Sequence, residues 1–266
     1  MKVEPLYTRL TKVLQPMGPV AVAVSGGVDS LTLAAVAHKV FGSSFRAFHA
    51  VSPAVPPLAT ERVKRIAERF SWPLRVVDAG EFNDDQYLAN NTDRCYHCKS
   101  NLYDEIVGAT DLQIVSGANV DDLSDFRPGL IAADEHQVRH PFVEAAIGKD
   151  GIRSLARQIG LGSVSELPAA PCLSSRLQTG ITVTPHRLRL IDEVEEYARG
   201  LLSPQTVRCR ILPERIEVQL DESSLASLHE SSDLRIKLTA FISERESRPV
   251  RFAAYRMGSS VVLQNG

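Results

Sequence analysis

The run Ser25-Gly26-Gly27-Val28-Asp29-Ser30 follows the apolar stretch Val20–Val24 and precedes Leu31–Phe41, which is apolar nearly all round. No other segment limits the fold as strongly. A short apolar strand followed by a helix with no polar face reads as one βα unit of a parallel sheet, the helix buried against the strands. Between the two, a pair of glycines lets the backbone approach an anion, two serines offer hydroxyl donors, and the helix aims the positive end of its dipole at the same place. The segment reads as a phosphate cradle. No lysine stands in the turn and GxxxxGK(S/T) is absent, which excludes a Walker A loop.

The alternation continues through the first half. Strands are expected at Phe45–Val51, Leu74–Val77 and Leu112–Ser116, separated by helical patterns, so the fold class is α/β: a parallel sheet with helices on both faces. After the second strand, Leu58, Val63, Ile66, Ala67 and Phe70 mark one helix face, and Glu61, Arg62, Lys64, Arg65 and Glu68 the other. Asp93–Val107 reads as a helix on which Cys95, Cys98 and Lys99 share a face. A second organisation starts after Gly180. Thr184-Pro185 is a helix start, Leu188, Ile191, Val194 and Ala198 form its buried stripe, and Thr206–Leu212, Arg215–Leu220 and Arg251–Arg256 read as strands. The expected division is therefore residues 1–180, with the cysteine-bearing loop, and a smaller α+β domain at 181–266 for substrate or self-association. The joint, Ser163–Ile181, is rich in Pro, Ser, Ala and Gly and too long for an ordinary connection, which marks it as a candidate functional loop.

Thirty Lys and Arg stand against 32 Asp and Glu, a net charge of −2 without any basic tract. That balance argues against holding nucleic acid by charge and favours small-molecule chemistry. No apolar run reaches the ~18 residues of a membrane span, and MKVEPLYTRL lacks the apolar stretch of a signal peptide, so the expected address is the cytoplasm. Thiols stay reduced there, and the four cysteines are expected to be metal-bound, reactive or simply reduced. Cys95-x-x-Cys98 alone suits a zinc half-site, a redox pair or a cluster equally. Cys172 lies in the polar loop beside Ser174, Ser175 and Arg176, whose guanidinium can stabilise a thiolate. Cys209 sits between Arg208 and Arg210; strand alternation sends both arginines to one face and the cysteine into the core.

The Ser25–Ser30 hexapeptide resembles the SGGxDS loop of the ATP pyrophosphatase (PP-loop) superfamily. Four more segments, Arg94-Cys95-Tyr96-His97-Cys98-Lys99, Ser116-Gly117-Ala118-Asn119-Val120-Asp121-Asp122, Asp125-Phe126-Arg127-Pro128-Gly129 and Pro171-Cys172-Leu173-Ser174-Ser175-Arg176, resemble in order and spacing the LarE family of ATP-dependent sulfur transferases. The resemblance covers about residues 15 to 220. It implies an adenine nucleotide alpha hydrolase-like fold. The implied reaction thiolates pyridinium-3,5-biscarboxylic acid mononucleotide on the way to the nickel-pincer cofactor of lactate racemase. ATP and Mg²⁺ are the implied cofactors, with Cys172, Asp29, Ser30 and Arg176 catalytic. Ser25, Gly26, Gly27, Val28, Asp29, Ser30, Gly117, Asn119, Lys99 and Ser175 are the implied binding residues, and Arg208 and Arg210 are implied to clamp the substrate phosphate. Asp121 and Asp122 are further candidates for metal or ribose, and Glu195 and Glu196 for substrate. The expected substrate is a small-molecule mononucleotide, no membrane partner is expected, nucleic acid is disfavoured as a partner, and a homo-oligomer is expected.

Cys95, Cys98 and Cys172 match the three-cysteine version of the family, which holds a 4Fe–4S cluster carrying an extra sulfide. The other version keeps only the Cys172 equivalent and gives up that cysteine's own sulfur, leaving dehydroalanine. A zinc site with Cys209 or His97 as fourth ligand is the structural alternative. Competing functions are a tRNA-thiolating or amide-forming PP-loop enzyme, which would bind RNA with strong salt sensitivity, and a nucleotide-binding module without turnover, which would release no pyrophosphate.

Overall fold

The computed structural model describes residues 4–124, 128–168 and 171–256, and in it the expected sheet is formed by β1 (Val20–Ala23), β2 (Arg46–Ala50), β3 (Leu74–Val77) and β4 (Gln113–Ser116). They pair in the order β3-β2-β1-β4, all parallel. Helices α1 (Leu6–Leu14), α2 (Val28–Phe41) and α3 (Pro57–Arg69) belong to this unit. After the short α4 (Asp85–Leu88), which belongs elsewhere, follow α5 (Arg94–Ala109), α6 (Pro128–Glu135), α7 (Pro141–Glu144) and α8 (Lys149–Gln158). Chain contacts divide the protein into this first unit, residues 1–84 and 95–170, and a second, residues 85–94 and 171–266.

At its centre the parallel sheet is buried on both faces, whereas edge strand β3 leaves Arg75 and Val76 exposed, and β1 shows why its sequence is apolar throughout. Val20, Val22 and Val24 join Leu10, Leu31, Val36, Val63 and Leu155 in one core, and Ala21 and Ala23 join Phe48, Tyr103, Ile106 and Ala133 in the other. A buried side chain of the larger kind contributes about 1.5–3 kcal/mol. Helix α2 begins at Val28, inside the serine-glycine loop, and stops at Gly42. Leu58 departs from the sequence reading: it is exposed, because five residues before Val63 lies about 140° round the helix from the buried stripe. Helix α8, whose Ile152, Leu155 and Ala156 are buried, was not anticipated.

The second unit holds α9 (Pro185–Leu202), β5 (Val207–Ile211), β6 (Ile216–Leu220), α10 (Glu222–Glu230), α11 (Ser232–Ser243) and β7 (Val250–Ala254). Strands β5 and β6 are antiparallel, as expected of a pair, and β7 adds parallel to β6. The predicted stripe of α9, Leu188, Ile191, Val194 and Ala198, is buried, and the helix packs on β5. Residues 85–94 are stitched into this unit: Val183 N donates to Leu88 O at 2.8 Å, Gly180 N to Asn90 O at 2.9 Å, and Asn90 Nδ2 to the carbonyls of Gln178 and Ile181 at 2.9 Å each. The molecule thus has a parallel α/β unit and a small C-terminal α+β unit. Residues 125–127 of the Asp125–Gly129 motif and residues 169–170 of the expected joint lie outside the described residues. Among the described residues no helix is long and apolar enough to cross a membrane.

Thr184 caps α9, its side chain accepting from Arg187 N at 3.3 Å. Thr184→Ala is expected to cost about 1 kcal/mol and Thr184→Ser much less; urea unfolding midpoints of the two variants check this.

Candidate functional site

In open parallel sheets, ligands sit outside the carboxyl ends of the strands where the strand order reverses. Here β2 and β3 extend the sheet on one side of β1 and β4 pairs on the other, so the reversal lies between β1 and β4. The Ser25–Ser30 loop leaves β1 and Gly117 leaves β4 at that point. The Ser30 hydroxyl closes the loop: it accepts from Ser25 N at 3.1 Å, lies 3.1 Å from Ser25 Oγ and donates to Gly27 O at 3.2 Å. Gly26 has φ +86°, and a Cβ there would stand 2.9 Å from Ala59 O of α3. A Cβ on Gly117 would stand 2.8 Å from Ser30 N and 3.0 Å from the Asp29 carbonyl carbon. A side chain at either position would have to displace backbone.

Asp29 stands in the first turn of α2. Burial, then the charge of Asp122, push its carboxyl up to about 6, with Asp121 adding and Lys149 and Arg153 opposing. Its Oδ1 is buried without a hydrogen-bond partner. Asp122 accepts from Asn119 N at 3.2 Å and Asn119 Nδ2 at 3.0 Å, and lies 3.7 Å from Lys149 Nζ. Asp121 accepts from Lys149 N at 2.6 Å at the start of α8. Asn119 is fully buried, and its Oδ1 accepts from Asp121 N at 3.1 Å, so it frames the turn that presents the two acids. Such a corner, one carboxylate oxygen lacking a donor beside a second carboxylate, suits a hard cation.

On α5, Cys95 is exposed and Cys98 half-buried. The Lys99 stem runs against Gly129, where a Cβ would stand 3.1 Å from Lys99 Cγ, and its ammonium lies 6.0 Å from the centre of the Tyr103 ring. His140, to which the sequence assigned nothing, is placed at the same sheet end, its Nδ1 2.9 Å from Ser116 Oγ. Burial holds its imidazole below the ordinary value, against the pull of Glu144, Asp122 and Asp134.

In the second unit, half-buried Cys172 precedes a single turn of 3₁₀ helix, Leu173–Arg176. Its carbonyl accepts from Ser175 N (3.1 Å), Ser175 Oγ (2.8 Å) and Arg176 Nη1 (3.0 Å). Arg176 also donates to Pro171 O at 2.6 Å and grips Glu195 through Nε at 2.9 Å and Nη2 at 3.2 Å. The guanidinium that the sequence offered to the Cys172 thiolate is thus engaged with loop carbonyls and Glu195. Glu195, 1% exposed, further accepts from Arg199 Nη2 at 2.8 Å and Cys209 N at 3.1 Å, whereas Glu196 is exposed. Buried Ser174 meets Tyr87 OH at 2.8 Å, and its carbonyl accepts from Arg94 Nη1 at 2.8 Å.

Arg208 and Arg210 stand on the face of β5 opposite Cys209, as alternation requires. Cys209 is fully buried and burial pushes its thiol far up, so it is inert. Arg210 is buried rather than solvated, donating to Gln219 Oε1 at 2.8 Å and Ser175 O at 3.3 Å. Burial, then the neighbouring Arg176, disfavour the charge on both Arg208 and Arg210. A site with crowded guanidiniums attracts anions. None of the four cysteines, all described, is in a disulfide, and among the described residues of either unit no three His, Cys, Asp or Glu side chains gather as a metal site. The sequence reading missed Tyr87 and Asn90; Asn90 has φ +56°, and the Asn90-Asn91 pair was the available turn signal.

No family model matches the chain. The protein slr1717 of Synechocystis sp. is 35% identical to it over 219 residues, 78% of this chain and 81% of that protein. The chain belongs to the slr1717 family. Two more distant relatives are MJ0830 of Methanocaldococcus jannaschii, 23% identical over 81% of this chain and 82% of its own length, and the pyridinium-3,5-bisthiocarboxylic acid mononucleotide synthase of Lactiplantibacillus plantarum, 28% identical over 81% of this chain and 79% of the synthase. The name of the latter supports the LarE resemblance read from the motifs.

Asp29 binds its proton more tightly in the folded state, at about 6 against 3.8 for an ordinary carboxyl. Folded-state charge is therefore disfavoured, and stability falls as pH rises from about 4 to about 6, then stays at the lower level. With chelator present, Asp29→Asn is expected to unfold at a higher temperature than the wild type at pH 8, the margin vanishing below pH 4. Parallel melting-temperature profiles for the two proteins would contradict it.

Proposed function

We propose that the protein is an ATP-dependent sulfur transferase that adenylates a carboxylate of pyridinium-3,5-biscarboxylic acid mononucleotide and converts it to a thiocarboxylate. The observation that carries this reading is the serine-glycine loop at the reversal point of the sheet, closed on by Ala59 and Gly117 and bearing the unpartnered Asp29 Oδ1. The name of the L. plantarum relative supports the substrate class.

Loop backbone and the first turn of α2 take the polyphosphate, with the helix dipole favouring its charge. A substrate carboxylate oxygen attacks the α-phosphorus, the bond to the bridging oxygen breaks, and pyrophosphate leaves with the electron pair. A free carboxylate is a poor electrophile, and the acyl adenylate is a good one. A sulfur nucleophile then attacks the acyl carbon and the C–O bond to AMP breaks. Arg208 and Arg210 hold the mononucleotide phosphate. The Arg176–Glu195 pair fixes the backbone that presents Cys172.

Mg²⁺ fits the Asp29 corner, since the buried Oδ1 is an oxygen ligand without a donor and Asp122 adds a charge that a dication offsets. Bound there, it neutralises polyphosphate charge. Cys95 and Cys98 in the first unit, and Cys172 in the second, are thiols that are neither fully buried nor in disulfides, the donor type that a 4Fe–4S cluster takes. The chemistry such a cluster would supply is a sulfide for the activated substrate.

Asp29→Ala and Ser30→Ala are expected to lose substrate-dependent pyrophosphate release at least 100-fold, while Cys172→Ala keeps it and loses thiocarboxylate formation. Undiminished thiocarboxylate formation by Cys172→Ala overturns the mechanism. Iron, sulfide and zinc analysis of protein purified without oxygen separates the sulfur sources. About four irons with a brown colour support the cluster, zinc in a colourless sample supports a structural site, and a metal-free protein with dehydroalanine at 172 supports sacrifice of the cysteine.

A further inference from the structure

The polar face of α3 holds a residue that the sequence pattern treats as solvated. Arg62 lies one turn before Ile66, about 40° round the helix from it, and so flanks the buried stripe. Its Nη1 donates to Gly26 O at 2.9 Å, 36 residues away in the chain. Among the described residues no carboxylate pairs with Arg62, although Glu61 and Glu68 share its helix, and the charge that bears on it is another cation, Arg65. A half-buried guanidinium without an acid costs stability, and here it is committed to one carbonyl of the phosphate loop.

The position of that carbonyl gives the bond a consequence. In a trans peptide C=O and N–H point in opposite directions, so holding Gly26 O toward α3 turns the Gly27 N–H the other way. That N–H faces Ser25 Oγ at 3.5 Å, the hydroxyl that also meets Ser30 Oγ, and therefore the interior of the loop. A glycine at φ +86° has little intrinsic resistance to rotation of the following peptide. A flipped peptide would put a carbonyl oxygen where an anion has to sit. Helix α3 is itself held at this height: Ala59 O abuts Gly26, and buried His49 bridges Val24 O (2.7 Å) and Thr60 Oγ1 (2.9 Å).

We propose that Arg62 is a positioning residue of the phosphate loop, fixing the Gly26–Gly27 peptide with its N–H toward the anion and adding an uncompensated positive charge behind it, so that it governs affinity for the pyrophosphate part of ATP. The inference rests on the ATP reading of the loop. It predicts a selective effect, because the contact acts on the loop amides and not on the nucleoside.

The test is calorimetric binding of inorganic pyrophosphate, ATP and AMP, each with Mg²⁺, to the full chain and to Arg62→Met and Arg62→Lys. Arg62→Met is expected to weaken pyrophosphate and ATP by about tenfold or more and AMP by less than twofold. Arg62→Lys, which keeps a charged donor, recovers most of the loss, and a guanidinium salt partly rescues Arg62→Met. Wild-type protein that binds neither pyrophosphate nor ATP defeats the ATP reading itself. Wild type that binds both while Arg62→Met and Arg62→Lys bind them equally well overturns the role of Arg62 alone. Equal weakening of all three ligands, or a Lys variant as defective as the Met variant, also overturns it, since a general loss of structure would produce either result.

Discussion

The serine-glycine loop is closed on from two sides at distances that leave no space for a β-carbon, by Ala59 O at Gly26 and by Gly117 at the Ser30 amide. Much of the first unit follows from that. For the residue after β4 to touch the helix that starts after β1, the two strands have to be neighbours, parallel and in register at their carboxyl ends, and Ala23 indeed pairs with Ser116. For α3 to reach the other side, β2 has to pair along the opposite edge of β1. The all-apolar sequences of β1 and α2 then follow from burial on both faces of the sheet.

Buried Glu195 and half-buried Asp29 show how differently the molecule treats the same functional group. Glu195 receives two hydrogen bonds from Arg176, one from Arg199 and one from Cys209 N. A carboxylate so deeply buried costs several kcal/mol unless paired and bonded in this way. Its satisfaction ties α9, β5 and the Cys172 loop into one rigid piece. Asp29 has no such provision, and its raised pKa is the sign of it. A carboxylate oxygen buried without a donor, beside a second carboxylate and at the reversal point of the sheet, marks a place that a cation completes.

Strand positions, their parallel pairing and the cap at Thr184 were legible in the sequence because each depends on local pattern: runs of Val and Ala, turn glycines, a Thr-Pro step. Cys209 was readable for the same reason, a two-residue alternation in one strand. What escaped the pattern depends on distant partners. A helix glutamate is ordinarily solvated, and nothing in the vicinity of Glu195 announces that Arg176 and Cys209 will converge on it. Arg62 looks like surface charge until Gly26 is placed beside it. The role of Asn90 comes from donating to carbonyls some 90 residues onward.

The two units are not a linear fusion. The chain passes from the first to the second after residue 84, returns after 94 and passes again after 170. Tyr87, Asn90 and Arg94, in the brief excursion, make their bonds with Ser174, Gln178 and Ile181. Neither unit is therefore encoded by one uninterrupted stretch. A fragment ending near 170 would strand a ten-residue piece of the second unit inside the first, and a chimera between relatives has to carry three matched junctions to move either unit whole.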